Sequence, residues 1–321
     1  MLKKLLMINN FKKIYIKDIL AKWAGFFTSF ISFFEEKKTK ENLKLHEENQ
    51  PIFIIGTPRC GSTIVYQILS NNLDVLYFNN LSHILHKNIL ASFSLSKLLF
   101  KNNPHKSFKS NTGNTKGLNA PSECHLFWYR FLPKGDHYLK EEDIENSITN
   151  KIQQEIFSLT NKYKKSLLIK NLPMGMRLEI IKKFAPNAKL IFIKRDIRQN
   201  AYSIIKARKK KNIQKNEWWS VKPKNYKNLL KLEEEEKAIA QIYYINNQIK
   251  KDLKLFPKKN IIQINYSEFI NNTDNLINEM KKFINCNYKT QKENISLSES
   301  INNIPNKVNE KLTNAIQKYD K

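Results

Sequence analysis

The chain has 321 residues, with 56 Lys and Arg against 29 Asp and Glu and a formal net charge of +27. That length suits one large α/β domain with extensions, and the charge draws anions: phosphates, sulfated sugars, nucleic acid or anionic lipid. Lysine, asparagine and isoleucine are abundant everywhere, so a diffusely basic, solvated surface explains much of the charge, while Cys60, Cys124 and Cys286 lack the CxxC or His/Cys spacing of a disulfide framework or zinc site.

Near the N-terminus, Ile19 to Phe34 is a largely apolar run broken by Lys22. As a helix it would span roughly 24 Å, short of the roughly 30 Å hydrocarbon core of a bilayer. Trp23, Phe26, Phe27, Phe30, Ile31 and Phe34 recur at helical spacing, which predicts an amphipathic helix. A packing role and an interfacial, membrane-surface role for residues 19–34 both stay open. No small-residue cleavage pattern marks a secretory signal, so the expectation is a cytoplasmic protein, with peripheral membrane contact left open. The charged run 35–49 reads as a linker or a solvated helix. The expected organisation is a helical extension and linker (1–47), a catalytic domain (48–290) and a C-terminal tail (291–321).

Ile52 to Ile55 is a short β-prone run ending in Gly56, and Thr63 through Leu69 has helical periodicity, giving strand, tight loop, helix. A second unit begins after Ser166: LLIK reads as a strand, Met176 to Phe184 as a helix, Lys189 to Ile193 as a buried strand, and residues 200–210 as a helix. This alternation predicts a central parallel sheet flanked by helices, with right-handed crossovers. Between the units, residues 101–137 form a long polar insertion with an aromatic run (125–131), where acceptor contacts are expected, and Trp218 with Trp219 could stack a sugar or pack under a loop. Asn260 to Asn265 reads as a last strand, followed by an amphipathic helix through Leu276, Ile277, Met280, Phe283 and Ile284. The last thirty or so residues show few apolar anchors.

Gly56-Thr-Pro-Arg-Cys-Gly-Ser-Thr63 has the glycine spacing of a phosphate-binding loop, but Ser62 stands where a nucleoside triphosphatase carries its lysine. Glycines at a helix start let backbone N–H groups wrap an anion, with Arg59, Ser62 and Thr63 as side-chain donors. The segment resembles the 5′-phosphosulfate loop of sulfotransferases that use 3′-phosphoadenosine 5′-phosphosulfate (PAPS), usually a version of PRSGTT, with Cys60 in place of a Ser. Ile193-Lys-Arg-Asp-Ile-Arg-Gln-Asn-Ala-Tyr-Ser203 resembles that family's 3′-phosphate segment, which assigns phosphate contacts to Arg195 and Ser203. An Arg fork suits phosphate whatever the family. The alternative on the residues alone is that Arg195 pairs with Asp196 or Glu179.

The resemblance extends over about residues 51–286, including a Lys-Asn pair at Lys170 and Asn171. It implies a P-loop-like sulfotransferase fold, PAPS as co-substrate and no metal. The nucleotide would be held by Arg59, Cys60, Gly61, Ser62, Thr63, Arg195 and Ser203, with Tyr266 of INYSEF at the adenine. It further implies in-line transfer of a sulfuryl group to a hydroxyl or amine of a carbohydrate, lipid or small molecule, a glycan or glycolipid among them, and no nucleic-acid partner. Arg59 is the expected stabiliser of the leaving oxygen. Several relatives carry a catalytic Glu where this chain has Asn80. The general base is therefore expected at Glu123, in a Pro-containing turn where flanking aromatics would desolvate it, or else at His83 or His86. Two other readings compete. A P-loop kinase needs the missing lysine, and a basic membrane-surface adaptor leaves the paired anion motifs unexplained.

Overall fold

The structure, a computed structural model, describes residues 37–42, 49–101, 103–108, 110–111, 113–290 and 303–319. The run 19–34 lies outside the described residues. Among them, no helix is long and apolar enough to cross a membrane.

Strand β1 (Ile52–Gly56) leads through a five-residue loop into α1 (Ser62–Asn72). A short β2 (Leu76–Tyr77) and the helices α2 (Asn80–Ile84) and α3 (Ile89–Phe100) follow. The insertion then forms a small antiparallel hairpin, β3 (Ser110–Asn111) with β4 (Asn114–Thr115), and a single helical turn, α4 (His125–Trp128). Next come α5 (Asn146–Tyr163), β5 (Leu167–Lys170), α6 (Leu178–Phe184) and β6 (Lys189–Lys194). The chain continues through α7 (Ile197–Lys210), α8 (Glu234–Asp252), β7 (Ile261–Asn265), α9 (Tyr266–Asn271), α10 (Thr273–Ile284) and α11 (Asn306–Tyr319).

Five strands make one parallel sheet in the order β2-β5-β1-β6-β7, as the alternation of strands and helices predicts. The register pairs Phe53 with Ile169 on one side and Ile54 with Ile191 on the other. The central strands are continuously apolar because helices cover both faces. Alternate residues part accordingly. Phe53, Ile55, Ile169 and Phe192 face a core with Phe157, Phe184 and Trp128, whereas Ile52, Ile54, Ile191 and Ile193 face Val65, Leu69, Phe269 and Met280. From β1 the chain moves outward to β2, and later crosses to β6 and β7 on the other side. That switch opens a crevice at the carboxyl ends of β1, β5 and β6.

Three expectations change in detail. The predicted helix over 176–184 is split: Leu172–Met176 is a 3-10 turn begun by Pro173, and α6 starts after Arg177. Arg177 is fully buried and donates to the carbonyls of Pro133, Asp136 and His137, so it anchors the insertion. Much of the aromatic run 125–131 goes to the core, where Phe127 and Trp128 pack with Phe53 and Phe78. Trp218 and Trp219 likewise serve packing: Trp218 donates to the Val221 carbonyl, and Trp219 joins the cluster between α7, α8 and α11. The C-terminal segment has more anchorage than its composition suggests. Leu312, Ala315 and Ile316 share one face of α11 and are buried against α7 and α8.

Candidate active site

The loop after β1 is built for close approach. Arg59 has φ 64° and Gly61 φ 95°, two left-handed residues flanking Cys60, which curl successive N–H groups into a concavity. Gly61 is required twice over. Its φ is left-handed, and a Cβ there would lie 2.1 Å from Cδ2 of Tyr266. Ile64 N and Val65 N turn back to the Gly61 carbonyl at 3.1 and 3.2 Å. Ser62 and Thr63 supply the first N–H groups of α1, which have no intrahelical acceptor, and no side chain caps that end. The α1 dipole adds positive potential to this opening.

The second motif closes over the first. Arg59 Nε donates to Ser203 Oγ at 3.1 Å, and Arg195 Nη1 donates to the Arg59 carbonyl at 3.2 Å. Burial and the neighbouring Arg195 both push the Arg59 guanidinium below its ordinary pKa, while Cys60 and Tyr266 act the other way. Two guanidiniums held this close repel, and an anion between them relieves that repulsion. Both carboxylates suggested as partners for Arg195 accept a backbone N–H. Asp196 accepts from Gln199 N at the start of α7, and Glu179 accepts from Glu141 N.

Asn200 holds the loop from below. Thr57 Oγ1 donates to Asn200 Oδ1 at 2.6 Å, and Asn200 Nδ2 donates to the Pro58 carbonyl at 2.6 Å. Asn200 and Ser203 stand three residues apart on α7 and so share its loop-facing side. Cys60 is fully buried, its thiol pKa pushed up by that burial, and it lies against Gly56, so the substitution of a family Ser leaves the backbone cradle intact.

On the other flank, Lys170 at the end of β5 is buried, 3% exposed, and its Nζ donates to Thr63 Oγ1 at 3.3 Å. It also forms an ion pair with Glu123, whose side chain is 31% exposed. The insertion aims Glu123 there. Ser122 N donates to the Phe78 carbonyl and Asn79 bridges Pro121, so this segment runs on from β2 beside the sheet. Cys124, at φ 45°, then turns the chain into α4. Asn171 Nδ2 donates to the Glu123 carbonyl at 3.3 Å. The aromatic enclosure expected around Glu123 is thus replaced by an ammonium, because the neighbouring aromatics are drawn into the core. A Cβ on Gly113 would stand 3.7 Å from Glu123 Oε1 and 3.9 Å from Thr63 Oγ1, so the β3–β4 hairpin overlies this corner.

Two expected residues sit differently. His83 is buried in α2 with its ring 4.5 Å from that of His125. Tyr266 is 7% exposed, wedged against Gly61 and lying under the Arg195 guanidinium at 4.8 Å. It buttresses the loop, and its ring face is given to Arg195. Sequence reasoning passed over Asn200 and gave Lys170 no role. The signal for Asn200 was its place one helical turn before Ser203, and for Lys170 its place at the carboxyl end of the strand beside β1. Among the described residues no group of three or more His, Cys, Asp or Glu could hold a metal ion.

A parallel sheet carrying a glycine-turned anion loop between β1 and α1 defines a P-loop-like α/β protein, and the Arg59–Ser203 clasp over that loop narrows the class further. Residues 51–290 match the sulfotransferase family, and the chain belongs to it. The structure is similar to a sulfotransferase of Mycobacterium avium (13% identity, TM-score 0.50, covering 88% of this chain and 71% of that one). It is also similar to a sulfotransferase of Mycobacterium tuberculosis H37Rv (12% identity, TM-score 0.51, covering 81% and 73%). At that identity the likeness speaks to the fold. No curated protein matches the chain.

Proposed function

We propose that this sulfotransferase takes its sulfuryl group from PAPS and passes it to a hydroxyl or amine. The observation that carries the reading is the contact of Arg59 with Ser203, which joins an anion loop to a second phosphate motif at one crevice. One anion site suits any phosphate; two in contact suit a nucleotide phosphorylated at both ends of its ribose. The residues fit such a donor: N–H groups of the loop and of Ser62 and Thr63 for the 5′ end, and Arg195 with Ser203 for the 3′-phosphate. Bound PAPS supplies an electrophilic sulfur and a stable nucleotide leaving group.

The chain's own groups do the rest. Arg59 and Lys170 flank the loop with fixed positive charge, which stabilises negative charge growing on the leaving side. Arg59 acts by electrostatics, since a guanidinium does not give up its proton readily. Glu123 is the proton acceptor: it is partly exposed and anchored by Lys170 and Asn171. Lys170 can turn from the carboxylate to the loop through Thr63, which frees Glu123 to take the acceptor's proton as charge builds opposite. Incubating the protein with labelled PAPS and panels of glycan, lipid and small-molecule acceptors tests this. Labelled product supports the proposal, and no transfer to any acceptor class counts against it.

A further inference from the structure

Helix α3 has two apolar faces. Inward, Ile89, Leu90 and Phe93 join the core. Outward, Leu95, Leu98 and Leu99 are 36%, 72% and 53% exposed. Single surface leucines are ordinary, but three at i, i+3 and i+4 make a stripe that calls for a partner.

Charge identifies the partner. Lys87, Lys97 and Lys101 are exposed on or beside α3, and the sequence from Lys87 to Lys101 contains no Asp or Glu. The adjoining end of α5 adds exposed Lys162 and Lys164, with Lys162 Nζ donating to Ser94 Oγ at 2.9 Å. A cavity of about 340 Å³ behind α3 continues this character, carrying Lys97, Lys165 and Lys289 against one carboxylate, Asp74. A second copy of the chain would bring like charges face to face. An anionic bilayer accepts both features, leucines at its acyl boundary and ammoniums at its phosphates.

Part of the N-terminal segment packs on α5, the helix that adjoins α3. Residues 37–42 sit on α5, where Asn42 Nδ2 donates to Ser158 Oγ and Asn161 Nδ2 donates to the Asn42 carbonyl. We propose that α3 is a membrane-docking element: Leu95, Leu98 and Leu99 enter the headgroup boundary of an anionic phospholipid bilayer, with Lys87, Lys97 and Lys101 at its phosphates.

Co-sedimentation of the full chain with phosphatidylcholine vesicles, with and without phosphatidylserine, tests this independently of any sulfuryl transfer. The wild type should sediment with the phosphatidylserine vesicles, and L95S/L98S/L99S should lose about tenfold or more of that binding. Lys97→Glu with Lys101→Glu should cost more than tenfold, at roughly fivefold for each lysine near the surface. An unchanged thermal transition shows the variants folded; Leu98→Ser alone serves if the triple variant is not. Three results would overturn the proposal: no vesicle binding by the wild type, full binding by the serine variants, or a wild-type dimer that the serine substitutions make monomeric.

Discussion

Arg59 Nε donates to Ser203 Oγ across 3.1 Å, joining segments 144 residues apart in sequence. Arg195 completes the clasp by donating to the Arg59 carbonyl. Arg59→Ala should lower turnover by about 10²–10³-fold or more, as loss of an aimed cationic donor does, and Arg195→Ala should abolish transfer through loss of nucleotide binding. Ser203→Ala removes one hydroxyl and should mainly weaken nucleotide binding. Steady-state kinetics with separate nucleotide titrations distinguish these effects.

Glu123→Gln should leave nucleotide binding intact and remove turnover. The change leaves the Lys170 ammonium without its ion pair, so a stability loss of about 1–3 kcal/mol should accompany it. Lys170→Met should also lose turnover but unfold less readily than Glu123→Gln, because the partly exposed Glu123 can rehydrate. Denaturant melts and single-turnover assays of both variants check this. Normal turnover in Glu123→Gln would remove Glu123 as the base.

Gly61→Ala should be severe. Its Cβ would meet the Tyr266 ring at 2.1 Å in a backbone conformation with φ 95°, and the two penalties together should exceed about 2 kcal/mol. Asn200→Ala should be milder in stability, about 1–3 kcal/mol, from the unpaired Thr57 hydroxyl and Pro58 carbonyl. It should nevertheless weaken nucleotide binding, since the loop loses its support from α7. Thermal melts with and without nucleotide separate the two.

Mild acid should destabilise the protein. Burial holds His105 and His137 at pKa values of about 4, and Arg177 and Lys222 add to the effect at His137. The unfolded histidines titrate near 6.5, so between these values the unfolded chain binds more protons. The stability gained by keeping both rings neutral is complete above pH about 6.5 and is lost as pH falls toward 4. His137 Nδ1 also accepts from Lys222 N, a bond that protonation breaks. Denaturation midpoints at descending pH should fall less steeply in His137→Asn than in the wild type; identical slopes would contradict this assignment.

The sheet was legible in the sequence because its central strands are short, largely apolar runs. The two candidate anion motifs stood out in the sequence because Gly56 and Arg195 sit at strand ends and Gly61 at the start of α1, where local chemistry decides geometry. Helices α5 and α8 carry no such chemistry, so a motif-led reading passes over them although they cover the sheet. The environment of Glu123 was hidden because it is long-range. Nothing near residue 123 announces that Lys170, 47 residues on, takes its carboxylate. The aromatics beside Glu123 pointed to a desolvating pocket, yet the left-handed Cys124 turns them into the core. The contact of Tyr266 with Gly61 was hidden for the same reason, since the two are close only in the fold.

The most direct test of the double anion site is binding of adenosine 3′,5′-bisphosphate in the absence of magnesium, followed by thermal shift. At a hundredfold excess over its Kd the nucleotide should stabilise the fold by about 2.7 kcal/mol, and Arg195→Ala should abolish the shift. No shift with this nucleotide, alongside a clear one with magnesium and ATP, would contradict the account.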